Sequence, residues 1–337
     1  MNLFELTRNL INIPSISDDE QGVGFFLRDY LENLGWTVEL QPVSGNQNNV
    51  IARLNETPRV FLSTHMDTVP PFITANEDSE KIYGRGACDA KGIIASQIFA
   101  AEELRRQGIN DIGLLFTVDE EQGSSGARTA NKHLIAAKCE YMINGEPTDN
   151  DLAIGSKGSL RFFIKTEGRA AHSAYPEMGE SAIEKLLDIL NDIRSAEFPG
   201  DEFFGETTNN IGLINGGLKT NVIAPNAEAG LHIRLTTDDK PILEVLEKTI
   251  DGRGRIEIMS VALPVKMLAV EGFRQKVVRF TTDIPHLSNW GTPLLLGAGS
   301  ILDAHTSHEF VLKKDLEEAV GLYVTLAKKL LADETTV

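Results

Sequence analysis

The stretch RVFLSTHMDTVP, residues 59–70, reads as a buried strand that runs directly into a polar cluster containing His65 and Asp67. Two later stretches have the same design. IGLLFTV (112–118) runs into Asp119, Glu120 and Glu121, and EYMIN (140–144) runs into Gly145, Glu146 and Pro147. Helical segments separate them: Lys91 to Arg106 is rich in Ala, Ile and Leu, and a helix near 124–136 is expected before EYMIN. Upstream, residues 20–35 read as a helix and 37–54 as a hairpin-like strand pair. Strands spaced by helices of this length predict an α/β fold with a parallel or mostly parallel sheet. In such sheets functional groups gather at the carboxyl ends of strands, where the acids and histidine fall here.

From about residue 155 the pattern changes. LRFFIKTEG reads as a strand, SAIEKLLDILNDI as a helix, NNIGLING and EAGLHIRLTT as two strands, PILEVLEKTI as a helix and RIEIMSVALP as a strand. This β-α-β-β-α-β order is that of a small ferredoxin-like α+β unit. After about 270 the chain returns to βα character, with TPLLLGAGS as strand and turn and a last helix over 313–332. The expected layout is one α/β domain, 1–154 and 270–337, interrupted by an inserted domain over 155–269. The tail ADETTV is expected to fray.

The chain has 337 residues, enough for roughly two domains at about 150 residues each. Its 42% hydrophobic and 24% charged residues are ordinary for a globular protein and exclude disorder as the main state. There are 32 Lys and Arg against 49 Asp and Glu, a formal net charge of −17. That balance argues against nucleic acid or an anionic membrane as partner. Two cysteines cannot build a disulfide framework. No signal peptide is legible at the N-terminus, and no apolar run approaches the roughly 18 residues of a membrane span. A soluble, cytoplasmic protein is expected.

The residues that carry chemistry are His65, Asp89, Glu120, Glu121, Glu146 and either His305 or His308. Carboxylates mixed with imidazole suit a borderline divalent ion such as Zn²⁺, Co²⁺ or Mn²⁺. So many acids at strand ends are costly without a cation, and their number exceeds what one ion needs, which points to two ions sharing a carboxylate. GRGACD (84–89) lacks the third glycine of a dinucleotide loop, and its glycines instead allow a tight turn presenting Asp89. Cys88, beside Asp89, is read as small core packing rather than as a nucleophile.

Seven blocks in order carry a resemblance: STHMDTVP (63–70), YGRGACDAKG (83–92), TVDEEQGSSGA (117–127), NGEPTD (144–149), GRAAHSAYPEMGESAI (168–183), KTNVIAP (219–225) and AHTSHEF (304–310). Together they resemble the M20 family of zinc-dependent amidohydrolases and exopeptidases, which includes acetylornithine deacetylase, succinyl-diaminopimelate desuccinylase, aminoacylase and carboxypeptidase G-type enzymes. The resemblance implies a zinc-exopeptidase-like α/β domain with an inserted lid and dimerisation domain. It implies His65, Asp89 and Glu146 on one zinc ion and Asp89, Glu121 and His305 on the other, with Asp89 bridging. His305 is preferred to His308 because it stands four residues before Glu309, as the family's histidine ligand stands before a glutamate.

Glu120 would be the general base, Asp67 would orient the His65 imidazole, and His172 would reach the partner subunit's active site in a homodimer. Asn221, Arg234, Gly299 and Ser300 would bind substrate. The implied reaction is hydrolysis of the amide bond of a small N-acyl amino acid, acetylornithine deacetylase-like. A dipeptidase or carboxypeptidase, a succinyl-diaminopimelate desuccinylase and an inactive metal-binding homologue stand as alternatives.

Overall fold

The protein is described here from a computed structural model covering residues 1–332; five of the six residues of the ADETTV tail lie outside the described residues. Backbone contacts divide the chain into two units. The first comprises Met1–Ile154, Met267–Lys276 and the chain from Thr282 onward; the second comprises Gly155–Lys266 and Val277–Thr281.

The first unit is built on a mixed α/β sheet. Its central strands Ile112–Thr117, Val60–His65, Tyr141–Asn144 and Thr292–Leu295 lie side by side and are all parallel. Antiparallel strands flank them: the Thr37–Ser44 and Gln47–Arg53 pair on one side, and Leu152–Ser156 on the other. The two strands Val60–His65 and Ile112–Thr117 are buried at every position, because helices cover both faces of a parallel sheet. Helix Lys91–Arg106 buries Ile93, Ile94, Ile98 and Leu104, and the C-terminal helix Lys313–Leu331 buries Leu316, Tyr323 and Leu330. Asn2 and Glu5 form a reciprocal capping box that starts the first helix, Leu3–Ile11.

Register places the chemistry. His65 lies opposite Thr117, Ser63 opposite Asn144, and Leu295 opposite Asn144, so the parallel strands end along one edge of the sheet. The residues following each strand therefore converge there.

The helix expected over 124–136 is shorter than its composition predicts. Only Ser125–Ala130 is α-helical, followed by turns and a 3₁₀ turn at Ala136–Lys138. Beyond Ala130 the chain tightens to shorter bonds, His133 N donating to the Ala130 carbonyl at 2.9 Å, and another loop bonds the carbonyls at the helix end. Trp290 Nε1 donates to the Ala130 carbonyl at 3.1 Å, and Asn289 Nδ2 to the Asn131 carbonyl at 2.8 Å.

In the second unit the strands Thr208–Gly216, Asn226–Leu235, Gly158–Glu167 and Arg255–Ala262 form, in that spatial order, an antiparallel sheet. Helices Ala182–Ser195 and Asp239–Ile250 cover one face, burying Leu186, Ile189, Ile193, Ile242 and Leu246 against Leu160, Phe162, Ile164, Leu231 and Ile233. This is the ferredoxin-like β-α-β-β-α-β arrangement. No helix among the described residues is long and apolar enough to cross a membrane.

One packing detail is directly testable. Gly113 lies opposite Phe61, and a Cβ at 113 would fall 2.2 Å from the Phe61 ring, itself packed edge-on against Trp290. Gly113→Ala is expected to lower stability by about 1–3 kcal/mol through overpacking, read as a fall in the thermal unfolding midpoint.

Candidate active site

His65 is the last residue of its strand and almost fully buried. Its Nδ1 donates to the Asp67 carbonyl at 3.0 Å, so Nε2 is the ring atom presented toward the other groups. Nε2 stands 2.9 Å from Asp89 Oδ1 and 3.9 Å from Glu146 Oε2. The other Asp89 oxygen, Oδ2, is 3.2 Å from His305 Nε2, which also stands 2.9 Å from Glu121 Oε1. Asp89 thus lies between two imidazoles, one carboxylate oxygen facing each.

Each group is delivered by an irregular segment. Asp89 ends the turn Gly84–Asp89, in which Gly84 and Gly86 have φ of 138° and 89°. A β-carbon at Gly84 would meet an Ile11 side-chain carbon at 2.5 Å. Glu120 and Glu121 lie between two non-glycine residues with positive φ, Asp119 at 61° and Ser124 at 53°, and His305 itself has φ 63°. Such backbone costs energy and persists where neighbours over-determine it.

Asp67 is the chief of those neighbours. Fully buried, it accepts from Glu120 N (3.1 Å), Glu121 N (3.1 Å) and the Ser17 hydroxyl (2.7 Å), and one oxygen lies 3.4 Å from His65 Nδ1. A single carboxylate therefore steadies the imidazole and pins the Glu120–Glu121 segment. Burial works to raise its pKa, but the hydrogen bonds from His65, Ser17 and Glu121 hold it below the ordinary value.

The charges of the cluster are mutually dependent. Burial pushes the carboxyls of Glu120 and Glu146 well up, and each is pushed further by neighbouring carboxylates. Asp89 is buried too, yet hydrogen bonds from His305 and His65 hold it ionised. Hydrogen bonds to Asp89 and Glu121 lift His305 to about 10. Without a cation, then, these carboxylates draw protons onto both imidazoles.

That is the chemistry a divalent ion replaces, because ligation exchanges those protons for metal charge. Donor atoms of His65, Asp89 and Glu121 lie within 4.8 Å of one another, and Glu146 Oε1 is buried with no hydrogen-bond partner among the described residues. The residues present fit a metal centre.

The remaining expected residues divide by unit. Gly299, at φ 84°, packs beside the Asp89 turn, where a β-carbon would meet Cys88 Cβ at 2.5 Å. The Ser300 carbonyl accepts from the Cys88 thiol at 3.8 Å. Cys88 is fully buried and burial raises its pKa well above the usual thiol value. His308 is exposed and lies outside the cluster. His172, Asn221 and Arg234 belong to the second unit. There His172 bridges to Val222, the Asn221 carbonyl accepts from Ser173 N at 3.1 Å, and Arg234 donates to Thr281 Oγ1 at 3.4 Å.

Residues that the motifs did not bring forward also surround the cluster. Asp283 is buried and accepts from Thr117 Oγ1 at 2.8 Å, its other oxygen having no hydrogen-bond partner among the described residues. Burial pushes it up to about 6. Glu20 is buried and accepts from Asp119 N at 3.2 Å and from Gln47. Glu20 ends the acidic run Asp18–Glu20, but nothing in that run ties it to the strand ends, and Asp283 stands alone among the residues next to it.

Against this geometry the comparisons are direct. Residues 61–329 match peptidase family M20/M25/M40. A peptidase M20 domain-containing protein of Schizosaccharomyces pombe is 39% identical, covering 96% of this chain and 83% of its own. A probable carboxypeptidase of Aspergillus clavatus is 37% identical over 98% of this chain and 89% of its own. The crystal structure of a tripeptidase from Staphylococcus aureus superposes with a TM-score of 0.78 at 23% identity, over 96% of both chains. The chain belongs to peptidase family M20/M25/M40, and it is a hydrolase of that metallopeptidase family.

Two predictions follow from the supporting residues. Asp67→Asn removes an anion that accepts three hydrogen bonds and is expected to weaken divalent-ion binding by about 10–100-fold, measured by isothermal titration calorimetry. Glu20, pushed up to about 6 by burial and then by the Asp67 charge, binds its proton more tightly folded than unfolded. Its ionisation therefore costs stability increasingly as pH rises from about 4.5 to 6, and the cost persists above. In the metal-free protein, the stability of Glu20→Gln relative to wild type should rise across that window by on the order of 1 kcal/mol, then level off; denaturant unfolding as a function of pH reads this out.

Proposed function

We propose that the protein is a dinuclear metal-dependent exopeptidase that cleaves the terminal amide bond of small peptides, with carboxypeptidase action as the leading form. The observation that carries this reading is Asp89, whose two oxygens face different imidazoles within one cluster of buried carboxylates. His65, Asp89 and Glu146 would hold one divalent ion and Asp89, Glu121 and His305 a second, zinc being the best match to mixed imidazole and carboxylate donors. The bound ions would polarise the scissile carbonyl and lower the pKa of a water molecule.

The chain's own residues do the rest. Glu120 is assigned as the general base: its carboxylate accepts a proton from the attacking water and passes it to the departing amine nitrogen. Burial among other acids raises its proton affinity, which suits a group that must hold a proton between those two steps. Asp67 keeps the His65 ring and the Glu120 backbone in place. Gly299 and Ser300 of the first unit are assigned to substrate binding, and so, separately, are His172, Asn221 and Arg234 of the second. The Arg234 guanidinium is suited to a terminal carboxylate through two parallel hydrogen bonds, and His172 to stabilising the developing oxyanion.

A second reading keeps the chemistry and changes the acyl group: deacylation of an N-acyl amino acid, of the acetylornithine deacetylase kind. GRGACDAKG and NGEPTD favour it, since both resemble the deacetylase and desuccinylase branch. The same proposal includes a cytoplasmic homodimer formed through the second unit, where His172 would serve its partner. Cys88 and Cys139 are both free thiols. Among the described residues the strand Thr208–Gly216 ends its sheet, and it exposes Leu213 and Ile214, at 64% and 61%.

Zinc- or cobalt-loaded protein is expected to hydrolyse dipeptides and blocked dipeptides with a free C-terminus faster than N-acetylornithine, N-acetylmethionine or N-succinyl-diaminopimelate. A preference for one N-acyl amino acid would establish the second reading, and no turnover of any of them would remove both. Glu120→Gln is expected to lower kcat by about 10²–10⁴-fold with metal content unchanged by elemental analysis.

A further inference from the structure

The expected ligands Asp89 and His305 are far apart in sequence, and one buried side chain joins the two segments that carry them. Glu309 is 1% exposed. Its Oε1 accepts from three successive parts of the Asp89 turn: Gly86 N at 2.9 Å, Cys88 N at 3.2 Å and Asp89 N at 3.3 Å. Its Oε2 accepts from Arg85 Nη1 at 2.6 Å, and that same Nη1 donates to the Thr306 carbonyl at 3.2 Å. The Glu309 carbonyl in turn accepts from Gly84 N at 3.1 Å.

These bonds have a common consequence. The Gly84–Asp89 turn points its amides away from regular structure, and without Glu309 three of them would be buried donors lacking a partner. The His305 segment is less secured by its own contacts, since its imidazole is 48% exposed and its backbone adopts positive φ. One carboxylate and one guanidinium thus set the position of the His305 segment relative to Asp89. Among the described residues Glu309 makes no direct hydrogen bond to His65 or Glu146.

We propose that Glu309, paired with Arg85, is a positioning residue that holds His305 at ligating separation from the shared ligand Asp89, and so secures the ion that uses His305 more than the other. This rests on the dinuclear reading above. Glu309 itself is not among the expected ligands.

The test is metal binding by the full chain, stripped with chelator and titrated with Zn²⁺ by isothermal titration calorimetry. Glu309→Gln keeps the shape and one acceptor oxygen, and Arg85→Lys keeps the charge but loses the planar fork. For both variants the Zn²⁺ site that uses His305 is expected to lose about 10–100-fold in affinity, and the site of His65 and Glu146, which shares only Asp89 with it, at least several-fold less. Cobalt-loaded Glu309→Gln should show an altered visible absorption for the second equivalent only. In a His305→Ala background, where the second site lacks its imidazole, Glu309→Gln should produce no further change at that site.

Circular dichroism and thermal unfolding identify a variant that has not folded; Glu309→Asp, which retains the charge, then takes its place with the same expectation in weaker form. Equal weakening of both sites, or two unchanged sites with only a lower unfolding temperature, would overturn the proposal. Wild-type protein that binds fewer than two ions would overturn the dinuclear reading instead, and the two failures are distinguished by the wild-type stoichiometry alone.

Discussion

Like charges gathered where water is scarce repel strongly, and this protein places Asp89, Glu121 and Glu146 together at one edge of a buried sheet with Glu120 beside them. Coulomb energy between carboxylates at such spacing is several-fold larger than in water, so the arrangement demands protons or cations. His65 and His305 answer that demand in part, each imidazole lying against a carboxylate oxygen. The rest of the first unit can be understood as what is needed to hold these groups together despite their repulsion.

Two buried carboxylates do much of that holding without facing outward. Asp67 spans the end of one strand and the loop after the next, accepting from Ser17, Glu120 and Glu121. Glu309 does the same between the Asp89 turn and the His305 segment. Both use the same physical resource: backbone amides of irregular loops that have no partner in helix or sheet and must find one when buried. For Asp67 these bonds outweigh burial and hold the carboxyl below its ordinary range, whereas burial and the Asp89 charge push Glu309 up and the Arg85 guanidinium opposes them. The loops can then depart from ordinary backbone geometry, as the positive φ of Asp119, Ser124 and His305 records.

Membership of peptidase family M20/M25/M40 agrees with this construction, and the resemblance to tripeptidase and carboxypeptidase structures extends over nearly the whole chain. What differs between a peptidase and a deacylase of this kind is the shape that receives the acyl group. The charge chemistry at the strand ends is indifferent to that choice: amide hydrolysis needs the same base, the same acceptor for the proton and the same polarised carbonyl in either case.

Much of the site was legible in the order of residues, because parallel strands bring their carboxyl ends to one edge regardless of detail. An apolar run ending in His65, another ending before Glu120 and Glu121, and a third before Glu146 already place those groups near one another. Alternation and helical spacing likewise determined the two units' element order, including the ferredoxin-like pattern of the second. Only the tertiary structure decided the rest. The helix after Ser124 stops at Ala130, where Asn289 and Trp290, distant in sequence, bond the carbonyls at its end. Asp283 and Glu20 enter the site because the packing of separated segments brings them against Thr117 and Asp119, and the same packing, not the spacing from His305, sets the bonds of Glu309 to the Asp89 turn. Local periodicity records which face of an element is apolar; which distant amide a buried carboxylate must satisfy depends on how separated segments pack, and no short window of sequence contains that.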